Sequence, residues 1–266
     1  MITSAKNPKI KRIRSLQSSN RSRTEEGVFV IEGVRLVEEA LNAGWAAQSV
    51  FYTEEINDRG KAALEKLVSQ GAAVEQVTPR VMRAASDTQT PQAILVVLAL
   101  RELPPPPVLH FVLIPDAVRD PGNLGAVLRT AAAASVQTVF LPPNTVDPYS
   151  PKVLRAAMGA HFHIPIQIMG WDDIRGRIQK AGLQVYLADA GGAVDYTQPD
   201  FRSPLALIIG GEAHGAGHQA RSLSQTVVRI PMPGGSESLN AAVAAGVILF
   251  EIVRQRSTEG SYNLEN

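Results

Sequence analysis

Ser238, Leu239 and Asn240 lie in the run IPMPGGSESLNAAVAAGVILFEIVRQR, residues 230–256, where small polar side chains meet a helix start. Two prolines, a glycine pair and two serines make a stiff polar loop, and Leu239, Val243, Val247 and Phe250 then recur at helical spacing. The pattern predicts a helix over residues 239–254, with Ser238 as N-cap and Asn240 in the first turn, where backbone N–H groups are unpaired. Such a loop can offer amides, carbonyls and small polar groups to a ligand. It is also the make-up of an ordinary helix start.

Two upstream segments carry comparable features. In LIIGGEAHGAG, residues 207–217, an apolar strand runs into a glycine-rich turn holding Gly210, Gly211 and Glu212. The spacing is neither G-x-G-x-x-G nor a P-loop, yet the glycines can expose backbone groups to an adenosine-like ligand. In LIPDAVRDPGNLGAVLRTAAAA, residues 113–134, a strand and a Pro-Gly turn lead into a helix expected to open near Asn123. Asn123 is placed to cap it, and Gly125 permits close approach. Arg129, among alanine, valine and leucine, either snorkels at the surface or points into a cleft.

The elements that must position these residues follow from the hydrophobic pattern. Four consecutive prolines, Pro104–Pro107, suit an extended spacer and mark a boundary between residues 1–103 and 108–266. Before it, strands are expected at 28–31, 49–52, 73–77 and 93–100, with helices at 34–42 and 59–69, giving a small α/β layer domain. After it, apolar runs at 111–114, 138–141, 184–187, 205–209 and 227–230 read as a buried parallel sheet. Helices are expected at 124–134, 171–181 and 239–254. Ligands in such sheets gather at the carboxyl ends of the strands. The last ten residues read as a loose tail.

Composition narrows the function classes. The 266-residue chain has no cysteine, which excludes a disulfide scaffold, thiol catalysis and cysteine-based zinc sites, and points to the cytoplasm. No signal-peptide core and no membrane-length apolar stretch stands out. His161 and His163, and His214 and His218, are close in sequence, but they lack a zinc-ligand pattern, so no metal is expected. Basic and acidic residues nearly balance at 26 and 25. Residues 1–23, however, carry Lys6, Lys9, Lys11, Arg12, Arg14, Arg21 and Arg23 with no acid, which is either a phosphate footprint or a solvated helix face. Aromatics make up 5% of the chain, too few to suggest a single-strand stacking platform.

Taken in order and spacing, these three segments resemble the three motifs of the SpoU/TrmH branch of the SPOUT methyltransferases. That family transfers a methyl group from S-adenosylmethionine to a ribose 2′-hydroxyl in RNA. The resemblance covers residues 109–256 and includes the connecting run DPYSPKVLRAAMGAHFHIPI. The opening NPKIKRIRSL and the run GVFVIEGVRLVEEALNAG are similar to the substrate-binding domain of the ribosomal-RNA members. It implies an α/β chain: a small N-terminal α/β/α RNA-binding domain, then an α/β SPOUT domain with a deep trefoil knot. It also implies a homodimer, with ribosomal RNA as partner and the large subunit favoured, and no membrane.

Carried over by position, the first motif matches Asn123, Gly125 and Arg129. The second matches Gly210 and Glu212, and the third matches Ile230, Ser238, Leu239 and Asn240. The resemblance implies catalytic roles for Asn123, Arg129, Glu212, Ser238 and Asn240. It implies cofactor contacts at Gly210, Gly211, Glu212, Ile230, Met232, Ser238, Leu239 and Asn240. RNA contacts are expected at Lys6, Lys9, Lys11, Arg12, Arg14 and Arg129. One departure is Ala213, where many relatives have glycine after the glutamate. A guanidinium holds its protons at working pH, so Arg129 is expected to stabilise a developing alkoxide rather than act as base. The alternatives are a transfer-RNA ribose methyltransferase, a non-catalytic RNA-binding protein of the same fold, and a nucleotide-dependent oxidoreductase. The missing dinucleotide fingerprint disfavours the last.

Overall fold

The structure is a computed structural model that describes residues 1–211 and 215–257. By contacts the chain forms two compact units, Met1–Arg101 with Asp147–His163, and Glu102–Val146 with Ile164–Asn266.

The first unit opens with α1 (Pro8–Ser18) and α2 (Asn20–Glu26), followed by β1 (Val28–Glu32), α3 (Val34–Asn42), β2 (Ala47–Tyr52), α4 (Asp58–Ser69), β3 (Ala73–Gln76), α5 (Pro79–Ala85) and β4 (Ile94–Ala99). Its sheet runs β1-β4-β2-β3, with β4 antiparallel to both neighbours and β2 parallel to β3. Asn7 starts α1 by accepting the Lys9 N–H at 2.9 Å, and Pro8 fits the first turn, where no intrahelical N–H bond is lost. Ile10, Ile13 and Leu16 then turn one face of α1 onto Val28, Val30, Leu95 and Val97, together with Val81 and Met82 of α5. The basic opening is therefore helical, with its apolar stripe buried.

The second unit begins with β5 (Phe111–Asp116), α6 (Pro121–Ala133) and β6 (Thr138–Leu141). The chain next passes through α7 (Pro151–Ala157) and a 3-10 turn (Ala160–Phe162), both belonging to the first unit. It resumes with β7 (Ile166–Ile168), α8 (Trp171–Ala181), β8 (Gln184–Ala188), β9 (Val194–Asp195), β10 (Leu205–Gly210), α9 (His218–Leu223), β11 (Thr226–Arg229) and α10 (Ala241–Ser257). The sheet order is β7-β6-β5-β10-β8-β11-β9, and every pairing is parallel. Strand β5 is buried through its length and apolar up to Asp116, and β10 is apolar up to Gly210, because the sheet is covered on both faces.

The Asp147–His163 segment, expected within residues 108–266, packs with the first unit. Its own side chains explain this. Arg23 is 4% exposed and donates from Nε and Nη2 to Asp147 Oδ2 at 2.9 and 2.5 Å. Tyr149 meets Phe29 at 5.2 Å, and Phe162 meets Trp45 edge-on at 5.3 Å between ring centroids. Arg23 is thus a buried structural cation and not part of a surface phosphate footprint. Of the expected tail, residues 258–266 lie outside the described residues, and Ser257 ends α10.

Candidate active site

A cavity of about 320 Å³ opens at the carboxyl ends of β8, β10 and β11. Gly210, Gly211, Ile230, Met232, Ser238 and Leu239, all expected to contact a cofactor, line it. Glu212, also expected there, lies outside the described residues, as do Ala213 and His214. Ala244 and Ile248 of α10 extend the apolar wall, while Asp189 and Arg221 make a charged one. His161 is buried and bonded to the Pro148 carbonyl at 2.7 Å, whereas His163 is exposed beside Glu39.

The glycine pair is dictated by backbone approach. A Cβ on Gly211 would stand 2.1 Å from the Ala117 carbonyl oxygen, and one on Gly210 would stand 2.5 Å from the Ala216 backbone nitrogen. No side chain fits at either position. On the return of the same turn, the Gly217 N–H donates to Asp116 Oδ2 at 2.7 Å. Asp116 is 4% exposed, and burial pushes its carboxyl above the ordinary carboxylate range, with the Gly217 amide partly opposing the shift. The end of β5 therefore grips both ends of the glycine-rich turn. Asp116, Asp189 and Arg221 were not singled out from sequence, although carboxylates just past strand ends, in LIPD and YLAD, were a legible signal.

The helix caps differ from the expected ones. Helix α6 begins at Pro121, and Asp120 is its N-cap, accepting the Asn123 N–H at 2.8 Å. Asn123 is therefore inside the first turn of α6. Helix α10 begins at Ala241, and Asn240 caps it by accepting the N–H groups of Ala242 at 2.9 Å and Val243 at 3.3 Å. Ser238 is left in the loop on the cavity wall. Asn240 Nδ2 also donates to Asn123 Oδ1 at 2.8 Å, so the first and third segments are joined directly.

Arg129 is exposed on α6, beside Thr130, whose methyl faces Gly246 where α10 crosses. It does not line the cavity. The apolar stripe expected on α10 also differs from the core face: Ala241, Ala245, Ile248, Leu249 and Ile252 are buried, while Leu239, Val243 and Phe250 are 36, 51 and 50% exposed. Of the basic positions expected to touch RNA, Lys6, Lys11 and Arg14 are exposed. Lys9 pairs with Glu75, and Arg12 with Glu26 at 2.6 Å.

Residues 110–250 match the SpoU rRNA Methylase family, and residues 7–96 match the MRM3-like substrate binding domain. The chain is 34% identical over 253 residues to the 23S rRNA (guanosine(2553)-2′-O)-methyltransferase RlmP of Bacillus subtilis, covering 94% of this chain and 98% of that protein. Among solved structures, the AdoMet-bound rRNA methyltransferase of Sinorhizobium meliloti superposes with a TM-score of 0.85 at 34% identity, covering 95% of this chain and 97% of that one. The SpoU methyltransferase AviRb of Streptomyces viridochromogenes, in complex with AdoMet, gives a TM-score of 0.86 at 26% identity, covering 95% and 100%.

Proposed function

Because the chain belongs to the SpoU rRNA Methylase family, we propose that it methylates ribose 2′-hydroxyls of ribosomal RNA, in the large subunit, with S-adenosylmethionine as donor. The observation that carries this reading is the convergence of three segments far apart in sequence: the Gly210–Gly211 turn, the Ile230–Leu239 loop, and the Asn123–Asn240 bond beside them. The near full-length likeness to RlmP, N-terminal unit included, favours ribosomal over transfer RNA.

The residues present suit the cofactor. The cavity volume is that of a small-ligand site. Ile230, Met232, Leu239 and Ile248 offer an apolar surface for a flat base, and the backbone of Gly210 and Gly211 offers polar edges. When bound, S-adenosylmethionine supplies an electrophilic methyl group on a sulfonium. The protein's share of catalysis is then orientation and charge. Arg129, exposed on α6, would stabilise negative charge developing on the ribose oxygen as its proton passes to solvent water, and would contact a neighbouring phosphate. Asn240, fixed by its cap and by Asn123, would hold the loop carrying Ser238 against the reaction centre. Glu212, which lies outside the described residues, would fix the loop or an arginine.

The N-terminal unit is read as the RNA-binding domain, with Lys6, Lys11 and Arg14 meeting phosphates. Lys9 and Arg12 are held in exposed ion pairs worth little, so they can exchange a carboxylate for a phosphate. The second unit is read as a deep trefoil knot. The insertion of β10 between β5 and β8, with α10 returning onto α6, supports this. The exposed apolar residues Leu239, Val243 and Phe250 support a homodimer through α10, next to the cavity. The lack of cysteine supports a cytoplasmic protein.

The test is to incubate the protein with S-adenosylmethionine and deproteinised large-subunit rRNA, small-subunit rRNA or tRNA, and to map 2′-O-methylation by resistance to alkaline cleavage. A single new resistant position in large-subunit rRNA is expected. Methylation of tRNA alone would move the substrate, and none on any RNA would contradict the reading.

A further inference from the structure

We propose that Arg221 binds the carboxylate of the cofactor's amino-acid moiety, with Asp189 holding the guanidinium in place. The proposal rests on the reading of the cavity as the S-adenosylmethionine site. Among the described lining residues, Asp189 and Arg221 are the only charged side chains; the rest are apolar, glycine or Ser238. The ligand proposed for the cavity has a matching polarity, with a flat nucleoside at one end and a zwitterionic amino acid at the other. The apolar wall of Ile230, Met232 and Leu239 suits the base, which leaves the charged pair for the amino-acid end.

The pair is built to present Arg221. Its Nη2 donates to Asp189 Oδ2 at 2.5 Å, and its Nε donates to the Ala216 carbonyl at 3.2 Å. A guanidinium has five N–H donors in a planar fork, so two anchoring bonds leave three for a ligand. Asp189 is itself fixed. Its backbone N–H donates to the Val228 carbonyl at 2.9 Å, and its Oδ1 accepts the Gly191 N–H at 2.9 Å. The Arg221 side chain is 48% exposed, compared with 17% for Asp189, so the cation is open and its anchor is largely covered. Gly215, at φ +62°, adds no side chain over the pair. An anchored guanidinium fork is the geometry that takes a carboxylate in bidentate fashion.

The test is calorimetric titration of wild type, Arg221→Gln and Arg221→Lys with two ligands: S-adenosylhomocysteine, and 5′-methylthioadenosine, which keeps the nucleoside and thioether but lacks the amino acid. Arg221→Gln should weaken S-adenosylhomocysteine on the order of tenfold to a hundredfold, the scale of a lost charge-assisted bond, and change methylthioadenosine less than about twofold. Arg221→Lys, a point charge without the fork, should fall between. A variant-free arm uses the S-adenosylhomocysteine methyl ester, which wild type should bind about as weakly as Arg221→Gln binds the free acid. Equal losses for both ligands, or equal affinity of wild type for acid and ester, would overturn the assignment and leave the pair a structural one. Failure of wild type to bind S-adenosylhomocysteine at all would instead sink the reading of the cavity.

Discussion

Asn240 Nδ2 donates to Asn123 Oδ1 across 2.8 Å, tying the start of α10 to the first turn of α6 over 117 residues of sequence. The Oδ1 of the same side chain accepts two backbone N–H groups of α10, so one residue both caps a helix and bridges two motifs. The two jobs can be separated. Asn240→Ala should cost about 1 kcal/mol of stability by loss of the cap. Asn240→Ser restores a capping oxygen but is too short to bridge, so it should regain the stability and still turn over about tenfold more slowly. Thermal denaturation and methyl-transfer rates on the two variants check this. Full recovery of turnover in the serine variant would show that the bridge is idle.

Gly211→Ala places a Cβ where the Ala117 carbonyl oxygen stands, at 2.1 Å, so the turn or the end of β5 must move. A loss of roughly 1–3 kcal/mol in stability is expected, the scale of an overpacked site, with cofactor affinity falling at least tenfold. Gly234→Ala in the following loop is the control, since nothing lies within 4 Å of its added Cβ. Calorimetry with S-adenosylhomocysteine distinguishes them. Equal affinities would mean that the glycine turn does not shape the cavity.

His161 makes the first unit sensitive to acid. Burial is the main cause that lowers its pKa from 6.5 to about 4, against smaller opposing effects of the Pro148 carbonyl and Asp147. Its Nδ1 has no partner, so the ring is neutral in the fold. Because the folded pKa lies below the unfolded one, unfolding takes up a proton. The stability that depends on this group should be complete above about pH 6.5 and decline as pH falls towards 4, by up to about 3 kcal/mol. His161→Gln should flatten that part of the profile in denaturant titrations between pH 7.5 and 4.5. An unchanged slope would assign the acid sensitivity to other groups.

Much of this arrangement was legible in the sequence because most of the strands are short runs dominated by apolar residues. β1, β2, β5, β6 and β10 start and stop within a few residues of the hydrophobic runs that mark them. What sequence hid was long-range. Arg23 reads as one more cation in a basic block, because the carboxylate that buries it is Asp147, 124 residues away. Short helices such as α5, α7 and α9 have six or seven residues, too few for a period to stand out. Helix α10 carries apolar residues on two faces, so its spacing showed a stripe without saying which face was inward. The inward face proved to be Ala245, Ile248, Leu249 and Ile252. Caps were misplaced by two or three residues because Asp120, Asn123, Ser238 and Asn240 are all competent cap types. Of the site residues that sequence missed, Asp116 and Asp189 carried a strand-end signal, whereas Arg221 gains meaning only when α9 is brought to the end of β8.

The central claim is that the cavity binds the cofactor while Arg129, exposed outside it on α6, acts on the RNA hydroxyl. The most direct test measures S-adenosylhomocysteine affinity and single-turnover methylation of large-subunit rRNA on the same preparations of wild type and Arg129→Ala. The expected result is unchanged affinity, within about twofold, with the methylation rate lower by on the order of a hundredfold to a thousandfold, the usual effect of removing a group that stabilises developing negative charge. Methylation by Arg129→Ala at the wild-type rate, or a parallel loss of cofactor affinity, would contradict it.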